Sequence, residues 1–497
     1  MRGAISVLQV VVCLVVGLGL CQTLLGGQEY LSQKPREPLG PILRRTYGFV
    51  PDDPYFYPSG GGWPNTVGQW HLNGSLGFDL NVTSAWENGY TGSGVVIGIV
   101  DDSLETTHPD LAKNYLAECS WDFRDNDSLP DPEGSNDRHG VSVAGVAAGR
   151  GGNGVGVTGV APFAHLAGLR VSFESDQMLS MFYNAAMYRN DIIRVKNHSY
   201  GITAGYIGTT SERQANRLSA GEGVINVWAA GNEATNANVK MLPADRASLT
   251  VTALGSNGKL ASYSNIGACV FVTAPSSSSG GYGITTTDRT GNNGYNVEYD
   301  SFTDTGYTTV FGGTSSAAPA ISGVVAMILQ ANPDLDIRGV KHVLAATSKI
   351  VDESSSSWQQ NAAGYFFSPK YGFGLADASA AVAMAENYAG PGEQIVITPG
   401  KVNVNQALAD DDAEGVTCIF DVQGPGLLET VEIEVLINHT YWGDLDIDLI
   451  SPAGTTSKLA YGSSFGSGFS QKGWMNWTFT SNAFWGEDAT GLWEINV

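Results

Sequence analysis

Residues 94–100 read GVVIGIV and run straight into Asp101 and Asp102. A continuous Val/Ile run this short is too brief for a helical core, and it lacks the polar alternation of a half-exposed strand. It fits a strand buried on both faces, the situation in a parallel sheet covered by helices. Similar runs recur at 224–229 and 249–253. Helical patterns lie between them, as at 177–188, and the stretch SAAPAISGVVAMILQAN (316–332) reads as a buried helix. Strands alternating with helices predict an α/β domain with a mostly parallel sheet and helices on both faces.

After about residue 392 the pattern changes to alternating segments such as TVEIEVLI (430–437) and DLDIDLIS (444–451), separated by Gly, Pro, Asn and Asp. That alternation predicts an all-β sandwich. Two domains also suit a chain of 497 residues, which is long for one core. No internal repeat is visible.

The balance of charge narrows the function. Lys and Arg total 26 against 49 Asp and Glu, a formal net charge of −23. Such a surface repels phosphates, so nucleic acid is not an expected partner. It suits calcium or cationic substrates, and equally it suits plain solubility. The five cysteines contain no C-x-x-C pair, so zinc and redox motifs have no support. Cys13 and Cys21 lie in the N-terminal apolar segment; Cys119, Cys269 and Cys418 leave room for one disulfide, with no basis for pairing them.

Residues 1–21 place Arg2 before a Val/Leu run and small residues, the pattern of a signal peptide, with an uncleaved signal anchor as the alternative. Either implies export, and no later stretch is expected to span a membrane. Residues 22–62 read as a linker or short pro-segment carrying the dibasic pair Arg44 and Arg45, itself more simply two solvated loop side chains. The α/β domain is expected over 63–392 and the β domain over 393–497.

Four short motifs carry chemistry. Asp101 ends the first buried strand, at the sheet edge where α/β sites form; an Asp there can orient a histidine, or simply cap a helix. His139 stands before Gly140 and small residues, as a general base or a structural histidine. Ser315 opens the apolar helix, where backbone N–H groups and the helix dipole favour both a nucleophile and an oxyanion; alone it could be an N-cap. Asn232, in WAAGNE, closes another strand and could donate to an oxyanion or make a turn. Together they occur in the order Asp, His, Asn, Ser.

That order, with the stretches GVVIGIVDDSLETTHPDL, DRHGVSVAGVAAG, VWAAGNE and GTSSAAP, resembles the subtilases. The Asp101–Asp102 pair, the DPYF and GQWHL stretches and the tail segments WGDLDIDLISPAGTTSKL and FWGEDATGLWEINV resemble the kexin/furin-like branch, in which a P domain follows the catalytic domain. The resemblance implies a subtilisin-like sheet domain followed by a jelly-roll-like P domain. It implies a secreted serine endopeptidase acting on polypeptides, with Asp101, His139 and Ser315 as its triad and Asn232 in its oxyanion hole. Asp102 would line the S2 subsite, and Ser199, Tyr200 and Gly201 would form the edge along which substrate adds as a strand. Calcium would be held by Asp110, Asn153, the Val155 and Val157 carbonyls and Asp53. A second acidic cluster, Asp122, Asp125, Asp127 and Asp131, reads equally as a calcium loop or a solvated one.

The sequence also departs from that branch. Ile202, Thr203 and Ala204 stand where kexin-like enzymes carry acidic residues that bind the arginine before the cleaved bond. The Leu242-Pro243-Ala244 stretch lacks a second such acid, and Asn265 replaces an acidic calcium ligand near S1. Strict dibasic cleavage is therefore not expected, whereas a basic P2 residue remains compatible with Asp102. Residues 22–62 are short for a folded prodomain, and the β domain is expected to be incomplete. Asn-X-Ser/Thr sequons occur at Asn73, Asn81, Asn126, Asn197, Asn438 and Asn476, with Asn197 too close to the substrate edge to be modified. A monomer is expected. The competing readings are an inactive binding or adhesion protein on this scaffold, and an enzyme acting on esters or lipids.

Overall fold

A seven-stranded parallel sheet organises the first domain. Its order is Trp121–Asp122, His165–Arg170, Val96–Asp101, Val195–His198, Ile225–Ala229, Ser248–Leu254 and Val272–Pro275. The computed structural model describes residues 48–57, 68–173, 178–296, 304–408, 414–462 and 471–497, and the backbone of 8–17. Cys21, the Arg44–Arg45 pair and most of the expected linker lie outside the described residues.

The buried runs read from the sequence are these strands. Val96–Asp101 is buried along its whole length because helices cover both its faces. Ile97 and Ile99 join the large core cluster with Ile321, Val325 and Ile328 of the helix Thr314–Ala331. Val96 and Val100 face the other way, onto Met181, Phe182 and Ala185 of the helix Met178–Met187. Thr314–Ala331 is apolar and long enough to cross a membrane, but it is buried inside this domain from Thr314 to Gln330. Each of its buried Ile, Val, Leu and Met side chains contributes roughly 1.5–3 kcal/mol by leaving water.

Val96–Asp101 is also where the strand order reverses, with His165–Arg170 on one side and Val195–His198 on the other. The crevice at the carboxyl ends of the strands beside such a switch point is where α/β sheets place their sites.

The β domain consists of two four-stranded antiparallel sheets. One contains Thr417–Val422, Gly491–Asn496, Asp446–Ile450 and Thr456–Tyr461. The other contains Gln394–Asn403, Leu8–Gly17, Leu427–His439 and Gly473–Ser481. The segment read in sequence as the export signal thus supplies a strand to this sheet. Inward residues of both sheets, among them Ile433, Val435, Ile447, Phe479 and Trp493, form a separate core.

The two domains are joined by buried chemistry. Trp485 reaches into the first domain's core, edge-on to Phe271 at 5.4 Å and to Phe373 at 5.7 Å. Glu432 is buried and accepts from Arg217 and Arg246, each at 2.5 Å. Glu429 is buried against Arg338 at 2.6 Å and His342 at 3.0 Å. Cys119, Cys269 and Cys418 are each buried and unpaired, so the disulfide left open by the sequence does not form among them.

Removing one partner from a buried ion pair strands the other. Glu432→Ala is expected to cost about 3 kcal/mol in urea unfolding of the whole chain. A loss below about 0.5 kcal/mol would mean that these pairs contribute no more than exposed ones.

Candidate active site

Asp101 ends its strand buried, and His139 begins the helix His139–Ala148. The His139 Nδ1 lies 2.9 Å and 3.0 Å from the two Asp101 carboxylate oxygens. Gly140 makes this approach possible. A Cβ there would stand 2.0 Å from the Ser103 carbonyl oxygen and 2.9 Å from the Asp101 Cβ. Burial works against a charged His139, but the Asp101 charge and hydrogen bond and the Asp102 charge outweigh it and raise the imidazole pKa.

Asp102 is half-buried and holds the helix start. Its Oδ2 accepts from the backbone N–H of Arg138 at 3.1 Å and of His139 at 3.0 Å. Its Oδ1 accepts from Gly140 N–H at 2.9 Å and the Ser103 hydroxyl at 2.9 Å. A carboxylate at a helix N-terminus is favourable in itself. Here it also fixes the backbone that carries the imidazole, while burial and the Asp101 charge push its own pKa up to about 6.

Ser315 is the second residue of Thr314–Ala331, whose preceding Gly313 takes φ 75°, a conformation that favours glycine. The fifth residue after Thr314 is Pro319, which has no N–H to give the Ser315 carbonyl. The Ser199 hydroxyl supplies the missing donor at 3.1 Å. In return the Ser315 hydroxyl donates to the Ser199 carbonyl at 3.2 Å, so it is turned toward Ser199 and not toward His139. Catalytic hydrogen bonds often align only once substrate is bound.

Asn232 follows the strand Ile225–Ala229. Its Oδ1 accepts from the Thr314 N–H at 2.8 Å and the Thr314 hydroxyl at 2.9 Å. With the oxygen so held, the amide N–H group is presented to the pocket that Asn232 and Ser315 both line.

That pocket has a volume of about 400 Å³. Ser199, Tyr200 and Gly201 form one rim; Gly201 is exposed, and nothing lies within 4 Å of where its Cβ would be. Ile202, Thr203 and Ala204 continue that wall, and Met241, Leu242 and Pro243 close another. An aromatic stack backs it: His198 lies on Trp228 at 4.1 Å and Tyr200 on Phe182 at 4.5 Å. Burial pulls the His198 pKa down to about 3, so this histidine stays neutral. The β domain braces the pocket from behind. Asn238 exchanges two 2.9 Å hydrogen bonds with Thr480, and Gln471 donates to the Gly205 carbonyl at 3.0 Å.

Asp53 and Asp110 meet the loop 152–157 as expected. Asp53 accepts from Gly152 N–H at 2.9 Å, and Asp110 accepts from Val157 N–H and the Asn153 side chain, both at 2.8 Å. Both carboxyls are buried, and burial pushes each up to about 6 despite these hydrogen bonds. Two buried carboxylates beside an amide and loop carbonyls form an all-oxygen donor set, which fits calcium.

The other acidic cluster has a partner that the sequence reading missed. The buried Arg170 guanidinium lies 2.5 Å from Asp122, 2.9 Å from Asp125, 2.8 Å from Asp137 and 3.6 Å from Glu133. Asp131 instead accepts from the Thr106 N–H and hydroxyl, and Asp127 from Leu129 N–H. Asp125 and Glu133 stay exposed, and with Asp122 they bring ligand atoms within 4.8 Å of one another, a group that could hold an ion beside Arg170. Its signal was an arginine closing the apolar strand HLAGLR, where a cation needs buried carboxylates. Asn197, the doubted sequon, is fully buried and donates to the Ser199 hydroxyl at 2.9 Å.

The subtilase family model matches residues 92–374. The chain belongs to the subtilase family. A proprotein convertase P-domain model matches residues 428–497, which places this subtilase in the kexin/furin-like branch. It is 31% identical over 461 residues to neuroendocrine convertase 2 of Bos taurus, covering 86% of this chain and 70% of that protein. It is 32% identical over 473 residues to the dibasic-processing endoprotease of Schizosaccharomyces pombe, covering 90% of this chain and 62% of that protein. Furin of Rattus norvegicus is 31% identical over 467 residues, covering 87% of this chain and 55% of furin. Among solved structures, the serine protease of Aeromonas sobria in complex with its chaperone superimposes with a TM-score of 0.78 at 29% identity, over 86% of each chain. The subtilase is a serine-type endopeptidase.

Two variants test this geometry. Ser199→Ala leaves the Ser315 carbonyl without its donor, a change of about 1–3 kcal/mol. It is expected to lower kcat for a peptide substrate while the fold survives; unchanged kcat would show that Ser315 is placed without it. Asp102→Asn removes a charge that raises the His139 pKa, so the acid limb of kcat/KM against pH is expected to move to lower pH. An unmoved limb would exclude electrostatic influence of Asp102 on His139.

Proposed function

We propose that this subtilase is an exported endopeptidase that cleaves polypeptides through an acyl-enzyme, with Ser315 as nucleophile, His139 as general base and then acid, and Asp101 as the group that holds the histidine's tautomer. The observation that carries the reading is the His139–Asp101 contact at 2.9 Å across the switch-point strand from a serine seated in the first turn of a buried helix. The Asn232 amide and the Ser315 backbone N–H would stabilise the tetrahedral oxyanion, a contribution of roughly 2.7–4 kcal/mol per donor. Substrate would add as a strand along Ser199, Tyr200 and Gly201, whose open edge leaves room for its backbone.

Although the convertase relatives include a dibasic-processing endoprotease, the pocket beside Ser315 is walled largely by Ile202, Ala204, Met241 and Leu242. We read it as an S1 pocket for uncharged side chains, and the capping role of Asp102 removes the main support for a basic P2. Turnover of a fluorogenic peptide set by the purified protein is expected to favour Leu or Met over Arg at P1 and to vanish in Ser315→Ala. Activity that survives Ser315→Ala would overturn the triad, and strict P1 arginine would overturn the pocket assignment.

Calcium would sit at Asp53, Asp110 and Asn153 with the Val155 and Val157 carbonyls, tying the segment 48–57 to the loop 152–157. It would add positive charge beside the two carboxylates, and no chemical step passes through it. The folded-state pKa of both acids is raised, so without metal their contribution falls as pH rises through about 6. Added calcium, at a hundred times its Kd, is expected to stabilise by about 2.7 kcal/mol above that pH and by progressively less below it. The readout is Tm with and without chelator at pH 7.5 and pH 5; equal shifts at both, or a shift retained in Asp110→Asn, would place the metal elsewhere.

Export rests on the Arg2-led apolar segment and on the convertase relatives. A cleaved signal and the strand Leu8–Gly17 are exclusive fates for the same residues. Mass spectrometry of secreted protein is expected to find its N-terminus beyond residue 21; a chain that keeps Leu8–Gly17 would make that segment structural.

A further inference from the structure

The pocket beside Ser315 contains two acids, Glu212 and Glu233, and one cation, Lys240. Glu212 is buried and committed to the helix Thr210–Gly221, where it closes a capping box with Thr209. Glu233 is different. It follows Asn232 directly, its side chain is 30% exposed, and among the described residues that line the pocket it is the carboxylate that a substrate side chain could reach. A cationic P1 residue would need such a partner, because a guanidinium or ammonium taken out of water unpaired is strongly disfavoured.

Lys240 already holds that partner. Its ammonium lies 3.6 Å from the Glu233 carboxylate with only 7% of its side chain exposed. It also donates to the Ile202 carbonyl at 3.1 Å and to the Thr203 carbonyl. The Glu233 carboxylate is fixed from the other side by Asn265, whose Nδ2 donates to it at 2.6 Å and to the Ala230 carbonyl at 2.9 Å. The Asn265 Oδ1 in turn accepts from the Glu233 and Thr235 N–H groups. One ammonium therefore joins the 202–203 wall to the oxyanion-side wall and neutralises the Glu233 carboxylate. Burial lowers the Lys240 pKa while Glu233 opposes the shift, as expected for a cation retained by one carboxylate.

We propose that Lys240 is a specificity-determining residue: a built-in cation that occupies Glu233 and so excludes Arg and Lys from P1. The inference rests on the endopeptidase reading above and adds the residue that sets its selectivity. It differs from an apolar pocket in its consequence, since the acid needed for basic P1 recognition is present and masked.

The test compares kcat/KM for two peptides that differ only in Arg or Leu at P1, in the full chain. Lys240→Met removes the charge and keeps an unbranched side chain. It is expected to raise the Arg-to-Leu ratio by about ten-fold or more. Lys240→Arg keeps the charge and is expected to leave the ratio near that of the parent. The double variant Lys240→Met/Glu233→Gln is expected to return it to the parental value, since the Glu233 charge is then gone. A Lys240→Met ratio within about two-fold of the parent, in protein with an intact Tm, overturns the proposal. If Lys240→Met does not fold, Glu233→Gln decides: the ammonium then lacks its carboxylate, so the ratio must fall, and an unchanged or higher ratio overturns the proposal. Loss of all Ser315-dependent turnover on both peptides in the parent enzyme would instead sink the endopeptidase reading.

Discussion

Everything at the site hangs on how the first turn of Thr314–Ala331 meets the end of the strand Val195–His198. A proline at 319 leaves the Ser315 carbonyl without its helical donor, and the Ser199 hydroxyl takes its place at 3.1 Å. The helix is thereby pinned at the residue that must be positioned. The same turn holds Asn232 through the Thr314 N–H and hydroxyl, so the proposed nucleophile and the proposed oxyanion donor share one anchor. The helix itself cannot drift, because nearly all of it is sealed in the apolar core between the sheet and its neighbours.

Buried charges around this anchor are matched in three ways. Asp102 is satisfied by backbone N–H groups at a helix start, and so becomes a positioning residue for His139. Arg170 is satisfied by a ring of carboxylates, and its Nε donates to the Asp102 carbonyl at 2.9 Å, supporting the strand end beneath the site. Asp53 and Asp110 accept hydrogen bonds from the 152–157 loop, with Arg150 close enough to act on Asp53, and they form the set proposed above for calcium. An acidic sequence does not distinguish these cases, since each looks like an aspartate-rich loop.

The layers of the fold were legible because burial on both faces leaves an unambiguous trace: GVVIGIV can be little else than a covered strand, and the switch to TVEIEVLI marks the second domain. The family was legible because the order and spacing of its motifs are specific, and the approach of His139 to Asp101 follows from two of them. What stayed hidden were partnerships between segments far apart in sequence. Nothing local in DFRDNDSLPDP announces Arg170, 48 residues beyond Asp122. Nothing local in NVKML announces that Lys240 reaches back to the carbonyls of Ile202 and Thr203. The helix start that Asp102 holds was hidden for a related reason, because it lies 36 to 38 residues away. The Leu8–Gly17 segment carries an export pattern and strand-forming residues at once, and composition does not separate them.

The central claim is that Ser315 is a nucleophile activated by the His139–Asp101 pair. Labelling with a fluorophosphonate, followed by peptide mapping, tests it directly. The account predicts a single adduct on Ser315, formed at a rate that rises with pH as His139 loses its proton and lost in His139→Ala. An adduct on another serine, or labelling of Ser315 that ignores both pH and the loss of His139, would contradict it.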